Sequence, residues 1–455
     1  MTVEEREEQV SGPQGRLGHV LATREGQPEA HAADPEQPMV IAHREALIYT
    51  LGKAAELEHL VMCQYLYAAF SLKEEVREGV PAELLPTVQR WKKELLHIGE
   101  QEMLHLALVQ NLLNAVGAAP RLGRPNFPLP PAAWPCNVQM ALLPFGEPGL
   151  RHFAYLERPE GMDMADDEAF AALSKARELP HDETDEIGPH LQDFETVGHL
   201  YRSIEDGLAI LAKRMGEDRL FIGPGTAQAT NAEIEFDELL AVTDLATAQA
   251  AIGIIVEQGE GARGDWKEAH FGRLIRTLDE YLALREERPD FDPTRPVMLA
   301  HVRPLATGQD VAIIGHGFTA RCADLLNAVY ELILQLLARY FAHTDETSEQ
   351  LTALTSVAVS LMKFVVRPLG SLITRMPMGA DHPDRTAGPA MELFYATDYL
   401  LPDRRAAWAI MEERLREIAD LATRCRDECI PTFLPPLSRI TDVLRYQAQI
   451  LAAAC

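Results

Sequence analysis

The sequence predicts an all-α fold: a helix bundle with a loop-rich insertion and a C-terminal helical extension. Three observations predict it. Apolar residues recur at helical spacing through most of the chain beyond about residue 40, with almost no strand-like alternation. Proline-rich stretches separate these segments and cannot themselves be helical. Four of the helical segments bring Glu or His into apolar surroundings: AAELEHLVMCQYLY around Glu58, IGEQEMLHLALVQNLL around Glu102 and His105, ETVGHLYRSIEDGL around His199 and Glu205, and IVEQGEG followed by HFGRL around Glu260 and His270. A carboxylate on a core face is costly unless its charge is compensated, and a bound cation compensates it. Dinuclear iron and manganese bundles use Glu from two helices and Glu-x-x-His from two others.

The elements follow in order. Residues 1–38 are rich in Gly, Pro, Glu and Gln and read as a mobile tail. A helix runs from near Ile41 to about Glu78. A second runs from about Leu84 to Val116, with Pro86 in its first turn, and stops at Gly117. A Pro-rich excursion follows, then a short helix in LRHFAYLERPE and an acidic, exposed segment over 163–186. The third long helix covers about Asp193–Met215. The fourth, about Thr247–Gln258, breaks at Gly259 and Gly261 and resumes near Trp266, running to Arg285. Those interior glycines cost a helix about 1 kcal/mol each relative to Ala, which points to a deliberate break. Beyond a Pro-punctuated linker, helices are expected at about Thr319–His343, Ser348–Ile373 with a kink at Pro368, and Pro402–Cys425. The division expected is a tail over 1–38, a metal-binding bundle over 39–290 and a helical region over 291–455.

Composition narrows the function. The 455 residues are 47% hydrophobic, ample for a large core. The formal net charge of -27 argues against nucleic acid and anionic membranes, which reward basic surfaces. No transmembrane helix is expected: LLNAVYELILQLLARYF carries Glu331 and Arg339 and reads as a buried helix. The acidic N-terminus lacks the apolar core of a signal peptide. Six scattered cysteines without a CxxC pair fit a reduced, cytoplasmic protein.

Turning each helix by about 100° per residue separates inward from outward positions. Glu58 lies in the stripe of Leu51, Ala54, Val61, Met62, Tyr65 and Leu72, whereas Glu56 lies on a more polar face. Glu102 and His105 share a stripe with Leu95, Ile98, Val109 and Leu112, at a spacing that lets both meet one cation. Glu94 and His97 repeat the spacing two turns earlier, beside Arg90 and Lys93, as a decoy or a supporting pair. In the third helix Glu205 borders the stripe of Tyr201, Ile204 and Leu208, and His199 lies nearly opposite, so periodicity favours Glu205. Glu257 and Glu260 precede the break, and His270 opens the resumed helix. One Glu-x-x-His is common and usually means nothing. Convergence of several such segments is what points to a dinuclear site.

These stretches also resemble a known family. AAELEHLVMCQYLYAAFSLK, QEMLHLALVQNLLNAVGAAP, FAYLERPE, ETVGHLYRSIEDGL, LFIGPG, IVEQGEG with HFGRL, LLNAVYELILQLL, LMKFVVRPLGSLITRMP and TAGPAMELF occur in order from about residue 41 to about residue 425. The chain resembles ferritin-like proteins of the iminophenyl-pyruvate dimer synthase type, known from the violacein and rebeccamycin pigment pathways. The resemblance implies a ferritin-like four-helix bundle with a second helical part, and O2- or H2O2-linked oxidation of amino-acid-derived imines. It implies metal positions at Glu58, Glu102, His105, Glu260 and His270. Many relatives carry Glu where this chain reads TVGHLY, so the resemblance alone adds His199, with one less negative charge. Tyr65 and Tyr201 are candidates for supporting or redox roles.

The function expected is a dinuclear Fe (or Mn) oxidase or oxygenase. It would use O2 or peroxide on a small amine, imine or amino-acid-derived substrate in a biosynthetic pathway, with a homo-oligomer compatible. The alternative is a non-catalytic helical metal- or haem-binding accessory protein. Iron storage fits poorly with the insertion and the C-terminal extension.

Overall fold

The computed structural model describes residues 39–129, 138–162, 164–166, 194, 196–225, 228–261, 265–342, 345–394 and 401–455. The expected tail over 1–38 and all but residues 164–166 of the acidic segment lie outside the described residues.

Helix α1 spans Arg44–Ser71 and α2 spans Leu85–Ala115, packed side by side. From Leu51 onward α1 is buried almost all round, so it has no polar face. Glu56, expected on such a face, is buried and paired with Lys53 at 3.0 Å. Helix α1 also stops earlier than Glu78. At Leu72 the backbone turns extended, and Lys73 and Ser71 exchange hydrogen bonds with Pro293 and Arg295 instead of continuing the helix. Pro86 sits in the first turn of α2, where a missing N–H costs nothing. Gly117 ends α2 at φ +85, and Ala118 N–H bonds back to Leu113, a left-handed C-terminal cap.

Three further helices and a resumed one complete the bundle. Helix α3 is Glu147–Leu156, α4 is Val197–Met215, α5 is Leu245–Gly259 and α6 is His270–Glu287. Thr196 caps α4 by accepting the His199 N–H, and Asp244 caps α5 with Thr247. The break between α5 and α6 occurs where expected, with Gly261 at φ +88. Helix α4 lies against α1 and α5, and α3 lies against α6.

The C-terminal helices are α7 (Gly317–Ala342), α8 (Ser348–Leu361), α9 (Arg367–Ile373), α10 (Arg404–Glu428) and α11 (Leu434–Ala454). Between α8 and α9, residues Met362–Val366 widen into a π turn ahead of Pro368, and Arg367 N–H reaches back to Met362. A widened turn is a usual partner of a kink. Helix α11 is not among the expected elements. Pro435 and Pro436 occupy its first turn, where a missing N–H costs nothing. Strands β1 (Val297–Ala300) and β2 (Thr386–Pro389) pair in parallel, with Val297 opposite Thr386. Four residues each are too short for alternation to show in the sequence. Helices α7 and α8 with α9 are long and apolar enough to cross a membrane, but most of each apolar window is packed inside the protein. The apolar core is continuous from Ile41 to Leu451.

Candidate metal centre

Two clusters of three ligand-type residues share Glu102. Glu58, Glu102 and His105 form one, and Glu102, Glu157 and His270 form the other, all buried and with ligand atoms within 4.8 Å of one another. Glu58 comes from mid-α1. Glu102 and His105 are one turn apart on α2, Glu157 follows the last residue of α3, and His270 opens α6.

Glu102 divides its oxygens between the clusters. Its Oε2 lies 3.1 Å from His105 Nδ1, and its Oε1 lies 2.9 Å from His270 Nδ1. Glu58 Oε2 is 3.5 Å from His105 Nδ1, and Glu157 Oε1 is 3.6 Å from His270 Nδ1. The two imidazoles stack 5.6 Å apart at 29°. His270 Nδ1 is buried and close to Glu102 but lacks the alignment of a hydrogen bond.

The surroundings orient these ligands. His105 Nε2 lies 3.0 Å from Gln258 Oε1, and His270 Nε2 lies 3.3 Å from Gln101 Oε1. An amide oxygen can only accept, so each Nε2 carries the hydrogen and each Nδ1 is left to coordinate. Gln101 is held by Arg273 at 2.6 Å, and Arg273 is held by Glu94. Glu94 therefore supports the site at two removes. Tyr201 donates to Glu58, and Tyr65 donates to Glu157.

The buried groups perturb one another's titration. Burial, then the neighbouring Glu102, pushes Glu58 up to about 8. Burial alone would raise Glu102 too, but His105 and His270 outweigh it and hold it well below the usual carboxylate range. Burial opposes charge on His105, yet Glu102 and Glu58 raise it to about 10, and Glu102 and Glu157 raise His270 against the same burial. Burial, then the adjacent glutamates, raises Tyr65 and Tyr201 well above the ordinary phenol. Protons on these histidines stand where a cation would replace them.

Of the residues singled out from the sequence, Glu58, Glu102, His105 and His270 come together, with Tyr65 and Tyr201 beside them. His199 and Glu260 belong to neither cluster. Glu260 accepts the Glu160 N–H at 3.0 Å and lies against Gly198, where a Cβ would come within 2.2 Å of its Oε2. His199 is the next residue along α4 and is buried, although periodicity puts it opposite the apolar stripe. Glu205 accepts from Gln249 at 3.1 Å on the outer side of α4, away from the clusters. Glu157 is the residue missed. Its signal was present: it lies four residues after Phe153 and seven after Leu150, both fully buried, hence on the inward face of α3.

The ferritin-like family model matches residues 51–278, half of the chain. The chain is 27% identical to dichlorochromopyrrolate synthase of Lentzea aerocolonigenes over 91% of its length. It is 30% identical to 2-imino-3-(indol-3-yl)propanoate dimerase of Chromobacterium violaceum over 98% of its length. It spans 43% of each of these relatives. A ferritin-like protein from Caulobacter vibrioides is a more distant structural match, with a TM-score of 0.42 and 19% identity over 68% of this chain and 92% of that one. The chain belongs to the ferritin-like family and, within it, resembles the iminophenyl-pyruvate dimer synthase type.

Proposed function

We propose that the chain is a metal-dependent oxidoreductase that oxidises a small amine, imine or amino-acid-derived substrate with O2 or peroxide. The observation that carries this is Glu102, whose two oxygens face two histidines from different helices. Glu102 would serve two metal positions at once. Glu58 and His105 would complete one position, and Glu157 and His270 the other. Three carboxylates and two neutral imidazoles suit two iron ions, or manganese. Such a pair, when bound, supplies the electrons with which O2 or peroxide is activated.

The protein's own groups do the rest. Tyr201 and Tyr65 each fix one terminal glutamate by donating a hydrogen bond. Gln258 and Gln101 fix the imidazole tautomers. Burial of all five ligands excludes water and strengthens every charge interaction. The names of the two biosynthetic relatives support a small organic substrate and an enzyme.

The test loads the full chain with Fe(II) without air, then admits air and follows oxygen uptake and the optical spectrum. Rapid uptake with a new iron-dependent absorption band is expected. Glu102→Gln should abolish both. Metal binding without any uptake would favour the non-catalytic alternative.

A further inference from the structure

Arg124 is a buried cation that pairs with no carboxylate among the described residues. Its terminal nitrogens donate to the Pro125 carbonyl at 2.9 Å and to the Met391 carbonyl at 2.6 Å. Its Nε is buried and has no hydrogen-bond partner among the described residues. Carbonyl dipoles solvate a charge without neutralising it, and an uncompensated charge in the interior is costly. Glu331 reaches Arg124 only at longer range, and burial pushes that carboxyl up.

Two groups able to carry negative charge lie against Arg124: the Cys63 sulfur and the Tyr330 oxygen. They are 3.2 Å apart and both buried. The Leu122 carbonyl lies 2.8 Å from His59 Nδ1, so Nδ1 carries the hydrogen and Nε2 accepts from the Tyr330 hydroxyl. The Tyr330 hydrogen is thus taken by His59, and its oxygen is turned to the Cys63 thiol. Burial, then Cys63, outweighs Arg124 and holds Tyr330 well above the ordinary phenol, so the phenol keeps its hydrogen. The Cys63 sulfur is left as the atom on which negative charge can meet Arg124. A guanidinium beside a cysteine favours the thiolate, which is the nucleophilic form.

His59, Met62 and Tyr330 also line a cavity of about 390 Å³ between the bundle and the C-terminal helices. The exposed Lys363 and Arg367 belong to the same cavity wall, so it meets solvent. It brings a small neutral oxidant up to the Cys63 cluster. We infer that Cys63 is an oxidation site that takes a peroxide. The sulfur attacks one peroxide oxygen, and the S–O bond forms as the O–O bond breaks. The thiol proton leaves with the departing hydroxide as water. Sulfur gives up two electrons, the peroxide takes them, and Cys63 becomes a sulfenic acid. Arg124 stabilises the negative charge that develops on the sulfur and on the departing oxygen. Neither Cys63 nor Arg124 belongs to the two carboxylate–histidine clusters, so this site stands apart from the oxidoreductase reading.

The experiment exposes the full chain, held in chelator to silence free iron, to a small excess of hydrogen peroxide. Dimedone traps sulfenic acids as they form, and peptide mass spectrometry reads each cysteine. Cys429 and Cys455, which are less buried, serve as internal references. Wild type is labelled at Cys63 ahead of both. Arg124→Leu slows labelling of Cys63 by about tenfold or more, the scale of one hydrogen bond to a charged group, and leaves the two references unchanged. Arg124→Lys restores most of the rate. Wild-type labelling of Cys429 and Cys455 ahead of Cys63 would overturn the inference, and this ranking needs no variant to fold. So would an undiminished Cys63 rate in Arg124→Leu with an unchanged circular dichroism spectrum.

Discussion

Tyr65 donates its phenolic hydrogen to Glu157, and Tyr201 repeats that relationship with Glu58 on the other cluster. Each terminal glutamate is thus held by one tyrosine from another helix. Removing a hydroxyl frees a carboxylate oxygen, which can then draw closer to a metal. Tyr65→Phe and Tyr201→Phe should therefore retain metal but lower its reduction potential. Each should also cost about 0.5–3 kcal/mol of metal-free stability, the range spanned by hydrogen bonds to neutral and to charged groups. Redox titration and chemical denaturation check the two effects separately. Loss of metal in either variant would mean that the hydroxyl is itself a ligand.

Part of the candidate site was legible in the sequence because helical arithmetic works where one face is apolar. Glu102 and His105 stand out on α2 for that reason. Arithmetic served less well on α1, which is buried all round and buries Glu56 as well as Glu58. It misled on α4, where His199 lies in the first turn and is buried despite its angle. Glu157 escaped because it lies just past a ten-residue helix, whose inward face must be read from only a few apolar positions. The C-terminal α11 and the β1–β2 pair escaped for related reasons: a double proline resembles a stop, and four-residue strands have no pattern.

Gly370 marks how the C-terminal helices seat on the bundle. A Cβ there would come within 2.5 Å of the Phe70 ring, and both residues are buried. Gly370→Ala should destabilise the protein by about 1–3 kcal/mol, the usual cost of overpacking. Thermal unfolding checks this. An unchanged midpoint would mean that Phe70 moves aside freely.

Acid should weaken the network around Glu74. Its carboxylate pairs with Lys92, Arg295 and Arg375. Burial alone would raise its pKa, but these three cations outweigh burial and lower it to about 2 from 4.5. A depressed carboxylate contributes stability that is complete above its unfolded pKa and is lost as pH falls through the folded one. The contribution of Glu74 is therefore present at neutral pH and fades between about pH 4.5 and about pH 2. Glu74→Gln should lower the melting temperature by several degrees at pH 7 and by far less at pH 2.5. A gap that is equal at both pH values would remove Glu74 as its source.

His199 and Glu260 fall in neither three-residue cluster, and whether they bind metal is testable. His199→Ala should leave metal content unchanged. Glu260→Ala should also leave it unchanged while losing the bond to the Glu160 N–H, at a cost of about 1 kcal/mol. Metal loss in His199→Ala would restore it as a ligand.

Metal content per chain tests the central claim most directly, measured on wild type, Glu157→Ala and Glu102→Ala purified without chelators. Two ions sharing Glu102 predict about two per chain in wild type, about one in Glu157→Ala and close to none in Glu102→Ala, following the pattern of carboxylate-bridged bundles. A full complement of metal in Glu157→Ala, or in Glu102→Ala, would contradict the account.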